Sequence, residues 1–189
     1  MARLTVHLNA LLLLSISILL SGCASSMMMK VSPMEGPDQQ HALVTFIRPS
    51  SFGGAIQFGI WDSDKFVGIL SANSYVQYLA EPGEHLFMAR AENWSYVKAD
   101  LQAGRQYYIL GRVFPGVWKA RVAFDPVTKN DTTSDAKLDE WLAKLKPTSV
   151  IPEKYDGYTG PRLEQVRAAV DEFNSGNVKY EVLGTDDYR

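Results

Sequence analysis

The residue with the most distinctive chemistry is Cys23, whose thiol is the only one in 189 residues. It follows an almost purely apolar run at residues 10–20, and Arg3 is the only charged residue before it. A basic start, a short apolar core and small residues at the exit are the parts of a secretory signal peptide. The apolar run is too short to cross a bilayer as a helix, which takes roughly 20 residues. We therefore predict that residues 1–22 are a signal peptide.

The four residues that end at this thiol, Leu20-Ser21-Gly22-Cys23, resemble the lipobox of bacterial lipoproteins. The resemblance implies cleavage between Gly22 and Cys23, a diacylglycerol on the cysteine sulfur, and acylation of the new amino terminus with a fatty acid such as palmitate. Several acyl chains together anchor a protein stably. The next two residues, alanine and serine, lack the aspartate that retains many lipoproteins in the inner membrane, so we expect the outer membrane, facing the periplasm. The alternative is an ordinary signal peptide that ends near a cysteine.

Other side chains that could do chemistry are few and lie apart along the chain. His41 and His85 do not make up the three or four protein ligands of a zinc site. Asp62 and Asp64 flank a turn, whereas calcium takes roughly six to eight oxygen ligands. The serines at positions 50 and 51 lack the G-x-S-x-G setting and the positioned base of a nucleophilic serine. We expect no metal site, no cofactor and no catalytic residue.

Aromatic residues in the middle of the chain give a candidate binding surface: Trp61, Trp94, Tyr107 and Tyr108, with His85 just after a Pro-Gly turn. Adjacent residues on a strand point to opposite faces, so either Tyr107 or Tyr108 should point outward unless both faces are covered. An exposed row of rings would suit glycan stacking or a protein partner. The other interpretation is that the rings fill the core and lie under helices, and that His85 bonds turn carbonyls.

The overall charge is close to neutral, with 19 basic and 21 acidic residues. This balance does not give the basic surface that binds nucleic acid or anionic lipid, so we expect no nucleic-acid partner. Hydrophobic residues make up 46% of the chain, which is enough for the core of one domain.

The elements that would position these residues change character along the chain. Residues 23–41 are rich in Pro and Gly and show no periodicity, which predicts a flexible lipidated tether. Residues 42–125 hold about eight short β-rich runs that are separated by turn residues. Such even spacing, with no helical pattern between the runs, predicts an antiparallel β-sandwich.

The C-terminal residues 126–189 have a helical pattern. The apolar residues of "SDAKLDEWLAKLK" share one helical face: Leu138, Trp141, Leu142 and Leu145. Ser134 or Thr133 is a suitable N-cap, and Pro147 ends this helix. A second helix is predicted from Pro161 to Gly176. The segment is therefore predicted to be a two-helix C-terminal extension.

Residues 42 to about 124 resemble the bacterial domain-of-unknown-function family 2846, which occurs in small lipoproteins. The resemblance rests on "FIRPSSFGG" (46–54), "WDSDKFVGIL" (61–70), "SYVQYLAEPGEHLFMARAEN" (74–93) and "ADLQAGRQYYILGRV" (99–113). Its most recognisable parts are the Pro-Gly-x-His and Ala-Gly-x-x-Tyr-Tyr steps. At the first hairpin the family usually has an Asp-Gly turn, where this chain has Ser63-Asp64. The resemblance implies a β fold and an envelope location, and it supplies no catalytic residue.

The sequence therefore predicts a lipid-anchored envelope protein that is not an enzyme. The first hypothesis is an adaptor that contacts another envelope protein through an exposed sheet edge or aromatic face. The second is recognition of cell-wall or surface glycan by the Trp and Tyr residues. The third is a hydrolase that uses carboxylates brought together by folding.

Overall fold

The structure is a computed structural model that describes residues 27–117 and 120–189. The predicted signal peptide and the predicted lipidation site Cys23 lie outside the described residues. The strands are β1 (Met28–Lys30), β2 (Ala42–Arg48), β3 (Phe58–Asp62), β4 (Lys65–Leu70), β5 (Ser74–Ala80), β6 (Gly83–Arg90), β7 (Trp94–Leu101), β8 (Gln106–Pro115), β9 (Ala120–Pro126), β10 (Lys146–Val150) and β11 (Glu181–Leu183). The helices are α1 (Asp135–Lys144), α2 (Tyr155–Thr159) and α3 (Leu163–Asn174), with 3₁₀ turns at Pro152–Lys154 and Gly160–Arg162.

The strands form two sheets. One has six strands in the order β1-β10-β5-β2-β8-β9, and the other has five in the order β11-β7-β6-β3-β4. The fold is mainly β, as predicted. The prediction of a purely antiparallel fold is wrong, because β10 pairs with β5, β2 with β8, and β11 with β7 in parallel. Turn signals in the sequence identify hairpins between consecutive strands, whereas these three pairs join strands that are distant in the chain.

Both sheets contribute to one apolar cluster that fills the space between them. At its centre, the ring of Phe46 lies 5.2 Å from that of Phe87 in an edge-to-face contact, and 5.4 Å from that of Phe124. The backbone of β8 approaches the other sheet closely at Gly111, where an added Cβ would lie 2.5 Å from Leu70 Cδ2. A larger residue at this position would therefore push the two sheets apart or displace Leu70.

Helix α1 covers the outer face of the six-stranded sheet. One apolar cluster joins them: Tyr75, Tyr108, Leu110, Leu138, Trp141, Leu142 and Leu145. Ser134 caps the helix, since its side-chain oxygen accepts a hydrogen bond from the backbone N–H of Lys137 at 3.3 Å. The position of the helix and its cap confirm the sequence prediction.

Helices α2 and α3 cover the outer face of the five-stranded sheet. Val166 and Ala169 of α3 are buried against Trp61, Met88 and Tyr96 of that sheet. This is the second predicted helix, and it is confirmed. The helices are thus outer layers of the fold rather than an appendage beside it. Within residues 27–117 and 120–189, no helix is both long enough and apolar enough to cross a membrane.

Residues 27–41 lie on the folded domain, so the predicted flexible tether over residues 23–41 is wrong for this part. Met28–Lys30 forms β1, which is antiparallel to β10. The backbone N–H of Met34 donates to the side-chain oxygen of Gln77 at 2.8 Å. The prediction failed because an edge strand of three residues is too short to show a period of two.

The predicted boundary at residue 125 does not divide the structure into a β domain and an extension. β10 and β11, which both come from residues 126–189, pair with β5 and β7 and complete the two sheets. At the C-terminus, the backbone N–H of Arg189 donates to the carbonyl oxygen of Gln106 at 2.9 Å. Residues 126–189 are therefore integral to the same fold as residues 42–125.

Candidate functional site

The aromatic residues predicted to form a binding surface do not lie on one exposed face. Trp61, Tyr107 and Tyr108 are buried, and Trp94 and His85 are half-buried. Tyr107 points into the core between the sheets, and Tyr108 lies beneath α1. No exposed ring is found at this pair because both faces of each sheet are covered, which is the condition under which adjacent tyrosines can both be buried. The positions of Tyr107 and Tyr108 agree with the other interpretation, in which the rings fill the core and lie under helices.

His85 belongs to a polar cluster in which both of its ring nitrogens face oxygen atoms. Nδ1 lies 2.8 Å from Oδ2 of Asp62, and Nε2 lies 2.7 Å from the carbonyl oxygen of Glu81. The hydroxyl of Tyr78 donates to the same Asp62 oxygen at 3.0 Å. Because both nitrogens have acceptors, both are satisfied only when each carries a proton. His85 in this position joins the β3–β4 hairpin to the β5–β6 turn.

The electrostatics of the cluster agree with a protonated His85. Burial alone lowers the pKa of this imidazole, but the hydrogen bond and the negative charge of Asp62 outweigh burial and raise the pKa above its ordinary value. A general base needs a free nitrogen near its substrate, and here both nitrogens are engaged. The arrangement therefore suits a structural clamp rather than proton transfer.

Asp125 gives the hydrolase hypothesis its structural basis. Burial raises the pKa of this carboxyl group, although Arg112 forms an ion pair with it. Asp125 lines a cleft of about 190 Å³ that Glu181 also lines. A raised pKa is what a general acid needs. The ion pair with Arg112 stabilises the charged form, however, and favours a structural role.

A second cavity lies between the five-stranded sheet and the helices that cover it. Its volume is about 230 Å³, and it is lined by Gln57, Phe58, Gly59, Trp61, Arg90, Ala91, Trp94, Tyr158, Arg162 and Val166. We call it the arginine–aromatic pocket. Strands β3, β6 and β7, helices α2 and α3 and the turn between these helices all contribute to it. It contains Trp61 and Trp94, two of the five residues that the sequence analysis selected.

The floor of this pocket depends on Gly59. A Cβ at this position would lie 3.0 Å from the hydroxyl oxygen of Tyr158 and 3.1 Å from Nε1 of Trp61. The rings of Trp61 and Tyr158 stack at 6.4 Å with an angle of 24°. Burial raises the pKa of Tyr158, so its hydroxyl keeps its proton at neutral pH. Two hydrogen-bond donors thus lie near one point above the glycine.

Two guanidinium groups line the same pocket. Arg162 lies over the ring of Tyr158 at 4.0 Å and donates to the Tyr158 carbonyl oxygen at 2.9 Å. Arg90 lies over the ring of Trp94 at 5.3 Å and donates to the side-chain oxygen of Gln165. In the part of the chain that the structure describes, neither arginine has a carboxylate partner. No acidic residue lines the pocket either, so it is positive and rich in donors.

The aromatic rings of the pocket do not offer the flat exposed faces that glycan stacking needs. Trp94 has Arg90 over its ring and packs against Tyr96 at 6.5 Å and 27°. Trp61 is stacked on Tyr158 and buried. Two coplanar exposed rings beside a polar groove, which the glycan hypothesis requires, are not formed by these residues.

Exposed apolar side chains gather where the β2–β3 loop meets the β8–β9 hairpin. Phe52 is 59% exposed, Phe114 is 43% exposed and Val117 is 79% exposed. Two clefts of about 380 and 320 Å³ flank this surface and share Val113 and Phe114. We call this surface, defined by Phe52, Val113, Phe114 and Val117, the apolar end. It is unusual because large apolar side chains normally avoid clustering on a surface.

Arg48 holds the loop that carries Phe52. Its side chain is fully buried. Its guanidinium donates to the carbonyl oxygens of Phe52 at 2.9 Å, Gly53 at 2.8 Å and Ile56. The positive charge is stabilised by these three carbonyl dipoles. The loop is therefore fixed by one side chain, and Phe52 is presented on a clamped backbone.

Parts of two of the exposed sheet edges that the adaptor hypothesis invoked, on β9 and β4, are blocked by side chains. On β9, the backbone N–H groups of Val122 and Phe124 donate to Asn93 and Ser95 side chains, both at 2.9 Å. On β4, the N–H of Phe66 donates to a tyrosine hydroxyl at 3.3 Å. Strand addition requires free backbone groups. A partner is thus not expected to add a strand at these positions.

Four residues were not predicted from the sequence: Arg90, Tyr158 and Arg162 as pocket residues, and Arg48 as the residue that holds the β2–β3 loop. The pocket residues come from segments about 70 residues apart along the chain, so their spacing gives no motif. Arg48 gave one usable signal, a charged residue inside an apolar strand just before Pro49. Among the residues that the structure describes, no group of three or more His, Cys, Asp or Glu is placed to hold a metal ion.

Comparison of the chain with known proteins gave no match: no family model, no curated protein and no solved structure matches it. The resemblance to family 2846 therefore remains an expectation from the sequence motifs.

Proposed function

We propose that this protein is a lipid-anchored, non-catalytic adaptor of the bacterial cell envelope, located at the outer membrane and facing the periplasm. The lipobox-like residues that end at Cys23 support the anchor. The two sheets with a shared core support the β-sandwich interpretation of the binding module. The observation that carries the proposal is the apolar end, where three large apolar side chains are exposed together.

The apolar end has the features of a protein-docking surface. Aromatic residues, phenylalanine among them, are enriched in protein interfaces relative to the rest of the surface. Phe52 and Phe114 are such residues, and the flanking clefts could receive side chains of a partner. Because Arg48 fixes the loop, little conformational entropy is lost when Phe52 is covered. This surface replaces the sheet edge and the aromatic face as the expected contact.

The position of the apolar end favours a partner away from the anchoring membrane. β1 runs in the same direction as β2 and β8, because β1 is antiparallel to β10, β10 is parallel to β5, and β5 is antiparallel to β2. The chain therefore enters the domain at the end of the six-stranded sheet opposite to the β8–β9 hairpin. With lipid on Cys23, the apolar end points away from the bilayer.

Site-specific photo-cross-linking in the native envelope tests the adaptor proposal. A photoreactive amino acid replaces Phe114 or Val117 in the full-length, lipidated protein, and the matched controls carry it at Leu79 or Tyr180, which are exposed apolar positions elsewhere. We expect one discrete adduct from Phe114 and Val117 and none from the controls. The same adduct pattern at all four positions, or no adduct at the apolar end, would contradict the proposal.

The anchor is tested separately from the adaptor role. Labelled palmitate should be incorporated into the natural chain and not into the Cys23→Ala variant. Membrane fractionation should then place the natural chain with the outer membrane. A Cys23→Ala variant that incorporates label equally would show that the thiol is not the lipidation site.

A further inference from the structure

We propose that the arginine–aromatic pocket binds the carboxylate group of a small organic acid that has an apolar body. This inference is independent of the adaptor role, because it rests on other residues and can be tested on the purified protein alone. It rests on three features of the pocket: its charge, the donors on its floor and the size and character of its walls.

The charge of the pocket selects an anion. Arg90 and Arg162 both line it, and no Asp or Glu does. Within the described residues, the two guanidinium groups interact with neutral oxygens only: Gln165 for Arg90, and the carbonyl and hydroxyl oxygens of Tyr158 for Arg162. A guanidinium has five N–H donors, so most of them remain available to a ligand. The planar fork of an arginine matches the two oxygens of a carboxylate.

The floor of the pocket provides donors that match the same group. Nε1 of Trp61 can only donate, and the hydroxyl of Tyr158 keeps its proton because burial raises its pKa. Each atom lies about 3 Å from the position that a Cβ at Gly59 would take, so the two donors are near each other on the same side of the glycine. Neither donates to an acceptor among the residues that the structure describes, although the Tyr158 hydroxyl also interacts with the side chain of Arg162. One acceptor oxygen that lies between them in the pocket can accept from both donors. A ligand that offered only donors there would leave them unpaired.

The walls of the pocket indicate the rest of the ligand. Phe58, Ala91 and Val166 line part of it together with Trp61, so part of the ligand lies against carbon atoms, whereas the exposed lining as a whole is more polar than apolar. The volume of about 230 Å³ is below the range of roughly 300–1,000 Å³ for sites that hold drug-sized ligands. A single ring or one apolar side chain therefore fits. Inorganic phosphate lacks an apolar body, and a neutral sugar lacks the negative charge.

The experiment compares acids with their amides, which have nearly the same shape without the charge. Full-length protein in detergent is titrated with benzoate and benzamide, and with N-acetylphenylalanine and its amide, while the fluorescence of Trp61 and Trp94 and the heat of binding are followed. For each acid that binds, we expect an affinity at least tenfold higher than that of its amide. Tighter binding of benzoate would indicate a free small acid as the ligand source, and tighter binding of N-acetylphenylalanine a peptide carboxyl end.

Matched variants assign the binding to the pocket. Arg162→Gln should lower the affinity for the acids at least tenfold. Arg167→Gln is the control, because Arg167 lies on α3, pairs with Asp64 at 3.4 Å and does not line the pocket. Both arginines are exposed, so both variants should fold. The proposal is overturned if neither acid binds, if acid and amide bind equally, if phosphate binds as tightly as benzoate, or if Arg162→Gln binds like the natural protein.

Discussion

Replacement of Arg48 by methionine should destabilise the protein by removing the clamp on the β2–β3 loop. Methionine keeps most of the apolar stem of the side chain but not the guanidinium carbon, which lies 5.8 Å from the centre of the Phe58 ring. The change removes three hydrogen bonds from a charged donor to backbone carbonyls. It also removes a charge that is fully buried and that contacts carbonyl oxygens rather than a carboxylate within the described part of the chain. These two effects have opposite signs.

The magnitude follows from the balance of these effects. Each hydrogen bond from a charged group contributes about 1.5–3 kcal/mol net, whereas relief from burying the guanidinium returns several kcal/mol. The carbonyl oxygens of the exposed loop can also reach water in the variant. We therefore expect the free energy of unfolding to fall by about 2–4 kcal/mol. For a chain of this size, that corresponds to a decrease in Tm of about 4–16 °C.

Chemical denaturation of the natural and variant proteins measures this difference directly. Arg121→Met is the matched control, because Arg121 is exposed on β9 and its loss should change the free energy by no more than about 0.5 kcal/mol. Hydrogen exchange should locate the effect of Arg48→Met at residues 49–57. If Arg48→Met is as stable as the natural protein, the three carbonyl contacts only balance the cost of burying the charge, and the clamp interpretation is refuted.

Three other substitutions test the clamp at His85, the contact between the sheets and the edge of β9. The folded-state pKa of His85 is raised, so its contribution to stability is complete below the unfolded pKa and is lost as the pH rises through the folded pKa. Denaturation from pH 5 to 9 should show this loss, and His85→Gln should reduce it to the part that remains from His41, whose pKa is raised by its hydrogen bond with Asp38. Gly111→Ala should lower the free energy of unfolding by about 1–3 kcal/mol, because the added Cβ would clash with Leu70. A thermal unfolding curve identical to that of the natural protein would contradict this close approach of the two sheets. Asn93→Ala removes two hydrogen bonds to Val122 and should lower the free energy of unfolding by about 1–3 kcal/mol. Light scattering should also show faster aggregation of the variant. Unchanged solubility would mean that Asn93 does not protect the edge of β9.

Local features of the fold were predictable because they depend on neighbouring residues. The Pro-Gly turn at residues 82–83 was predicted, and there Gly83 has a φ of +114°, a positive value that glycine adopts readily. The same holds for the Ser134 cap of α1, which needs only the first helical turn. These signals extend over about four residues, so the sequence alone displays them.

The features that failed depend on contacts between distant segments. No local pattern indicates that Lys146–Val150 would insert between Met28–Lys30 and β5, so the tether and the purely antiparallel topology were both wrong. The covering of Tyr108 by α1 is a tertiary contact of the same kind. The arginine–aromatic pocket joins Gly59 to Arg162, about 100 residues later, and only the folded chain brings them together.

The pairing of β1 with β10 determines the height at which the domain would stand above a membrane if the proposed lipid anchor is present. The carbonyl oxygen of Met27 already accepts a hydrogen bond from Ile151 at 2.9 Å, so only residues 24–26 separate the domain from the proposed lipid on Cys23. Even fully extended, this distance is at most about 14 Å. If Cys23 carries the proposed lipid, the reach of the domain from the membrane would be set by the sheet: β8 alone, from Gln106 to Pro115, spans about 30 Å. The domain would then act as a spacer, and the proposed partner of the apolar end would have to come within a few nanometres of the bilayer.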